Sequence, residues 1–335
     1  MLLEKNRNLI RAKNLTLLKN FLFKKGQALK SEMAKETGLS VVTINSLSKQ
    51  LLEEGVIFDG GEIKPAIGRP ATLYHFNYDQ KHYLLLSIQE TIQHQVRKLI
   101  IVGKVVNLAG EVKAEQTLPF ADLSLPNLMT KMQTFLNLST KIDQVGLSFP
   151  GKIAEGIVLS SWENQFDQWK IAEAFAKVSP LPLHIQNDAH LLTVGATILY
   201  DLAKEETIVG IFYPENSMPG ISIYANGHLL EGGRNLAGEA KFLPHLIGTP
   251  PAVTKECRMH SLLEIIAIYN VVIAPETFVI SAGALDQKSF IHQIEQSPIL
   301  TRQINVPKFL FVEDFQVALT TGLRWLVMQE DIYRL

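Results

Sequence analysis

The stretch from Ala28 to Leu52 constrains the chain most, because it carries every part of a helix-turn-helix. Ser31 to Thr37 predicts a short helix, and Gly38 stands where a left-handed C-cap needs a residue without Cβ. Leu39 turns inward, and Ser40 predicts the N-cap of a second helix. From there Val41, Ile44, Leu47 and Leu51 recur at helical spacing, which predicts one apolar face. The opposite face carries Val42, Thr43, Asn45, Ser46 and Lys49. These side chains are small or polar and nearly free of acids, as a helix entering the major groove of double-stranded DNA requires. An ordinary helical hairpin with a solvated face is the bland alternative.

The flanks suit the DNA reading. Residues 1–27 predict one further helix, with Leu15, Leu18 and Leu22 as its buried stripe, Phe21 beside them, and Gly26 ending it after Lys24 and Lys25. Beyond Leu52, Gly55 stops the helix, Val56 to Phe58 predicts a strand, and Thr72 to Phe76 a second one. The loop between them runs from Asp59-Gly60-Gly61 to Gly68-Arg69-Pro70, so the ribbon reads as a wing. Arg69, held between Gly and Pro, is a short basic tip for a minor groove; a hairpin turn with one solvated Arg is the alternative. Ser40, Val42, Thr43, Asn45, Ser46, Lys49 and Arg69 are therefore the candidate DNA-binding residues.

Residues 1–80 hold 12 Lys/Arg and 8 Asp/Glu, a balance of +4, which leaves −5 for the remainder of a chain whose formal net charge is −1. A slightly basic end on a slightly acidic body suits a DNA-binding module attached to something else. At 335 residues two or three domains are expected. The start of the chain is charged and lacks the apolar run of a signal peptide, and no stretch is apolar enough to span a membrane. A single cysteine excludes an intramolecular disulfide framework and fits a reducing cytoplasm, the expected location.

Asn77 to Gln80 is taken as a linker, and the body begins near Lys81. Strands are predicted at 83–88, 98–103 and 105–112 (with a turn at Asn107 and Gly110), 144–149 and 183–186, with a loop, the unassigned stretch 157–160 and the segment 161–169 between the last two. Helices are predicted at 125–137, 171–177 and 189–200. The alternation indicates an α/β architecture with a mixed sheet. Asp314 to Ile332 is amphipathic, with Phe315, Ala318, Leu319, Leu323, Leu326 and Val327 on one side, as a packed helix requires.

Several motifs follow in a telling order: Phe149-Pro-Gly151, the loop from Asn164 to Trp169, Gln186-Asn-Asp-Ala189, Gly227 to Gly233, Leu236-Ala-Gly-Glu239, and Ala274 to Gly283. Together with Gly68-Arg-Pro70 they resemble the ROK family, which unites sugar-responsive repressors with sugar kinases. The resemblance covers nearly the whole chain. It implies a winged helix-turn-helix over 1–77 and an actin-like (ribonuclease H-like) body of two lobes. One lobe would span 81–190, completed by a helix within 314–335, and the other 191–313. It further implies a DNA operator and a small-molecule sugar effector; a homodimer formed mainly through residues 81–335 is expected because winged helices gain affinity by engaging two half-sites whose spacing the body must set. Asn164, Asn187, Asp188 and Glu239 match the family's sugar-contacting positions, and amides and carboxylates converging on one cleft are what a polyol needs. A helix N-cap remains open as the role of Asp188, and a solvated loop carboxylate as that of Glu239.

The chain departs from the kinase members where they hold ATP. Their first phosphate loop is Asp-x-Gly-Gly-Thr, whose glycines let backbone N–H groups approach the anion. Here Ser87-Ile-Gln-Glu-Thr91 stands in its place. The second Gly-rich loop is replaced by Phe212 to Gly220, bulky and acidic, and the late Gly-Gly pair by Ser281-Ala-Gly283. The family's zinc site is lost as well: Phe242 replaces its histidine and only Cys257 remains of its cysteines. Cys257 with His260 and His245 offers too few ligands for a metal. A regulator with a catalytically inactive, cofactor-free body is therefore expected. The alternatives are an ATP-dependent sugar kinase and a body that answers a protein partner.

Overall fold

The computed structural model describes residues 2–63, 70–93, 96–161, 164–215, 217–252, 254–283 and 285–335. Its N-terminal unit contains α1 (Leu2–Lys25), β1 (Gln27–Leu29), α2 (Lys30–Thr37), α3 (Val41–Glu53), β2 (Ile57–Ile63) and β3 (Ala71–Phe76). Local chemistry sets these boundaries. Gly38 adopts φ 70° and its N–H returns to the carbonyl of Ala34, ending α2. The Ser40 hydroxyl accepts the N–H of Thr43 at 3.2 Å, starting α3. Leu18, Leu22, Met33, Ile44, Leu47 and Leu51 close the helices on one another.

Two expectations fail here. Val41 is 61% exposed, since at the first position of α3 it precedes the buried stripe; Ser48, fully buried, takes the fourth place. The three residues of β1 are too few to show a period, yet they pair antiparallel with β3 and complete a three-stranded sheet of order β1-β3-β2. Gly68 and Arg69, at the expected wing tip, lie outside the described residues.

The segment read as a linker is a clamped joint. Tyr78 donates its hydroxyl to the carbonyl of Phe23 at 2.7 Å, and Asn77 donates to that of Gly55 at 2.8 Å. The carboxylate of Asp79 takes Lys113 at 2.7 Å and Asn107 at 2.9 Å. Those contacts, Lys113 first, hold its pKa down at about 2.

The body continues with β4 (His82–Gln93), β5 (Val96–Asn107), β6 (Val112–Pro119), α4 (Leu125–Leu136), β7 (Gln144–Phe149), β8 (Gly151–Ala154), β9 (Ile157–Ser161), α5 (Ile171–Ala176), β10 (Leu183–Asn187) and α6 (Asp188–Leu199). Its second half holds β11 (Ile208–Phe212), β12 (Gly220–Ala225), β13 (His228–Leu229), α7 (Lys255–Val272), β14 (Thr277–Ser281), α8 (Gln287–Gln296), β15 (Lys308–Phe311) and α9 (Phe315–Met328). The two five-stranded sheets are β10-β7-β4-β5-β6 and β13-β12-β11-β14-β15. Counted from the first strand of each half, both follow the order third, second, first, fourth, fifth. In each, the second strand is antiparallel to the first and the fourth parallel to it. The body is thus one topology used twice, although the sequence shows no repeat.

In such sheets the crevice for ligands opens beyond the carboxyl ends of the strands, where the order reverses. That point falls at the ends of β4 and β7 in one sheet and of β11 and β14 in the other. Between the sheets α6 and α9 cross in near backbone contact. A Cβ at Gly195 would sit 1.8 Å from the carbonyl oxygen of Ala318, and one at Gly322 would sit 2.0 Å from that of Leu191. One hydrophobic cluster then joins head and body: Leu22, Leu51 and Phe76 run into Tyr83 and Val106, and on to Leu323, Leu326 and Tyr333. Tyr333 packs its ring 5.3 Å from Phe23 and 5.2 Å from Phe76. Among the described residues no helix is long and apolar enough to cross a membrane.

Candidate functional site

Asn164, Asn187, Asp188 and Glu239, four residues spread over 76 positions of sequence, line one cavity of about 300 Å3. Ser160, Ser161 and Lys241 complete its polar side. Asn164 stands at φ 57° in the left-handed region, which Asn tolerates better than most residues. Asn187 ends β10 and caps α6: its side-chain oxygen accepts the N–H groups of Ala189 (3.1 Å) and His190 (3.4 Å). Its amide donates to the carbonyl of Gly151 at 3.0 Å. Asn187 therefore lines the cavity with its polar atoms already committed.

The capping role left open for Asp188 thus falls to its neighbour. Asp188 accepts the N–H of Ala189 at 2.8 Å and lines the cavity at the helix start. Burial raises its pKa to about 6, against the lowering effects of that N–H and of Lys152, with Glu239 adding to the rise. A carboxyl group whose pKa burial raises within a cleft is a candidate functional residue. Glu239, with its side chain 21% exposed, accepts the hydroxyl of Ser160 at 2.8 Å and lies 3.8 Å from Lys241. It is a held carboxylate of the cavity wall, not a solvated one.

Beneath the cavity lies a polar chain that sequence reasoning missed. Lys152, 2% exposed, donates to Nε2 of His190 at 2.8 Å and to the carbonyl of Ala237 at 2.7 Å. Accepting at Nε2 fixes His190 as a neutral ring with its proton on Nδ1, which donates to Gln186 at 3.1 Å. Burial and the Lys152 charge push the His190 pKa down to about 3, consistent with that state. Gln186 then donates to Glu231 at 2.8 Å, at the edge of a wide cleft between α1, the β12–β13 hairpin and the C-terminal residues. Nothing in the spacing of Lys152 and His190 announces this pairing. Lys241, too, carried no motif.

A second cavity of about 380 Å3 adjoins the first and shares Pro150, Asp188, Phe212, Pro214 and Ser217 with it. Gln89, Glu90, Phe212, Glu215, Ser281 and Gly283 all line it, so the three departures from the phosphate loops converge on one place. Gln89 is locked to Gln316 of α9 by a pair of amide hydrogen bonds of 3.2 and 2.6 Å. Gln89, Glu90 and Phe212 stand here where phosphate-cradling loops carry glycine. Near the zinc motif, Cys257 is exposed on α7, and His245 and His260 each lie 3.7 Å from Glu264. Among the described residues no group of three or more His, Cys, Asp or Glu is arranged to hold a metal ion.

On the N-terminal unit, Val42, Asn45, Ser46 and Lys49 are exposed on one side of α3. Thr43 is half-buried, its hydroxyl 2.9 Å from that of Ser40. Arg11 of α1, not foreseen, joins this face: its guanidinium donates to Ser46 at 3.3 Å and to Gln50 at 2.8 Å. Arg69 lies outside the described residues.

No family model matches the chain, and no curated protein matches it. Solved structures do. A ROK family transcriptional regulator, homologous to the Escherichia coli MLC protein, aligns over 94% of this chain and 96% of its own, with 16% identity and a TM-score of 0.66. A ROK family protein from Streptococcus pneumoniae in complex with sucrose aligns over 74% of this chain and 99% of its own, with 13% identity and a TM-score of 0.57. A ROK family glucokinase from Streptomyces griseus in complex with glucose and AMPPNP aligns over 72% and 99%, with 13% identity and a TM-score of 0.54. The last two are matched over nearly their whole length yet leave about a quarter of this chain uncovered, a share similar to that of its N-terminal unit. The body of the chain has the two-lobed, actin-like fold that these ROK-family structures share.

Proposed function

We propose that the chain is a ROK-family transcriptional regulator. Its N-terminal unit is a winged helix-turn-helix that binds a double-stranded DNA operator, and its body senses a sugar or sugar derivative without phosphorylating it. The observation that carries this reading is the contrast between two adjoining cavities. One gathers Asn164, Asp188 and Glu239, the hydroxyl-binding side chains, whereas the other replaces phosphate-cradling glycine by Gln89, Glu90 and Phe212. On the head, Asn45, Ser46 and Lys49 with Arg11 offer donors for base edges and phosphates, and Arg69 is assigned to the minor groove.

The two ends are joined by α9. Phe315, Gln316 and Leu319 at its start line the second cavity, and Leu326 and Met328 at its end belong to the cluster shared with the head. Its 14 residues make a rod of about 21 Å. A ligand that favours one closure of the lobes tilts this rod, and it does so only by the difference in its affinity for the two states. In a homodimer formed through the body, such a tilt alters the separation of two α3 helices, which must match half-sites on DNA.

Calorimetry on the full chain checks the reading. Heats of binding are expected for a member of a monosaccharide and disaccharide panel, with none for ATP–Mg²⁺. Sugar-dependent release of ADP by pure protein would make it a kinase instead.

A further inference from the structure

We infer that the effector is a glycoside with an apolar aglycone: the sugar occupies the polar cavity, and an aryl or alkyl group fills the second. The inference rests on the sugar-sensing reading above and deepens it. The two cavities are contiguous through Pro150, Asp188, Phe212, Pro214 and Ser217. At about 300 and 380 Å3 they together offer the room that pockets provide for ligands larger than a single sugar ring. The second cavity is walled by Leu99, Phe212 and Phe315 over a buried hydrocarbon floor of Ile88, Phe166 and Leu319, with Gln89 and Gln316 at its side. Phe212 and Phe315 stack with centroids 5.3 Å apart, so aromatic faces meet at the junction with the polar side.

Charge decides what can extend there from a bound sugar. The carboxylate of Glu215 lines the same cavity, and Asp188 stands at its seam, so an anionic group, phosphate above all, meets like charge. A second sugar ring would bring its hydroxyls against the rings of Phe212 and Phe315, beside Gln89 and Gln316, whose amides are already spent on each other. A neutral apolar substituent meets neither obstacle, and burying it gains affinity with the area removed from water. Asp188, at the seam, is placed to accept a hydroxyl of the ring beside the glycosidic oxygen.

The test is a calorimetric series on the full chain. The probes are the methyl, propyl, hexyl and 4-nitrophenyl glycosides of glucose, galactose, mannose and N-acetylglucosamine, with 4-nitrophenol alone as a control. For the sugar that binds, affinity should rise by about threefold to fourfold per added methylene until the cavity is full, and the 4-nitrophenyl glycoside should bind at least tenfold tighter than the methyl one. Phe315→Ser should flatten this series and leave the methyl glycoside's affinity within about twofold; the slope in the parent protein tests the proposal independently of that variant's folding. Equal affinity across the series, with methyl glycosides bound, overturns the aglycone subsite and leaves the sugar-sensing reading standing. Binding of 4-nitrophenol as tight as that of its glycosides overturns the glycoside class. No binding by any glycoside overturns both.

Discussion

Asp188 brings together burial and charge at the seam of two cavities. Its carboxyl is raised from an ordinary value of 3.8 to about 6 by burial. The folded state therefore binds more protons than the unfolded one between these values, and stability falls as pH rises from about 4 to 6, then levels off. Two pKa units amount to about 3 kcal/mol at full burial, but this side chain opens onto the cavity. We expect Asp188→Asn to gain about 1–2 kcal/mol at pH 7 by chemical denaturation, with little gain at pH 4. The same variant should lose effector binding. For the parent protein, sugar affinity should weaken as pH falls through 6, because a protonated carboxyl accepts hydroxyls poorly. Wild-type stability and sugar affinity in the Asn variant would remove Asp188 from the site. On the head, Asn45→Ala and Arg69→Ala should each weaken specific operator binding by about 1–3 kcal/mol. Arg11→Ala should instead weaken all sequences alike and lower the salt slope, as a phosphate contact does. Footprinting with specific and random fragments separates the two behaviours.

Among the elements, α6 and α9 carry the connection. Each depends on a glycine: at Gly195 and Gly322 any Cβ would collide with the backbone of the opposing helix. Gly322→Val should push the helices apart and destabilise the protein by about 3 kcal/mol, the upper end for overpacking, visible as a lowered melting temperature. A Tm within a degree or two of the parent's would show that the crossing is loose. Sequence periodicity placed both helices, and it placed α2 and α3 through Gly38 and Ser40, because caps and stripes are local. It misjudged Val41, whose position at the helix start, not its apolarity, decides its exposure. It passed over β1, paired with a strand some 45 residues away. At the site, Asn164, Asp188 and Glu239 came from the ordered motifs. Lys152, His190, Lys241 and Arg11 did not, since each acquires its role from partners 35 or more residues distant or from burial. The joint at Asn77 to Gln80 looked like a linker because polar residues serve equally as solvated chain and as hydrogen-bonded clamp.

Taken whole, the molecule is a sheet topology used twice, with a DNA-binding candidate fastened to it through one unbroken cluster that includes Phe23, Phe76 and Tyr333. On the regulator reading proposed above, such a fastening would carry a change of lobe closure to α3 without a flexible hinge, with the C-terminal residues in its path. The most direct measurement is fluorescence anisotropy of the full chain on a DNA fragment selected by the protein from random sequence, titrated with the carbohydrate that binds in calorimetry. The regulator reading predicts salt-dependent binding of a two-fold symmetric site by a homodimer, and at least a fivefold change in Kd when the carbohydrate is present. It also predicts that Asp188→Asn binds the same site without responding. Absence of any preferred DNA sequence, or a Kd indifferent to every bound carbohydrate, would contradict it.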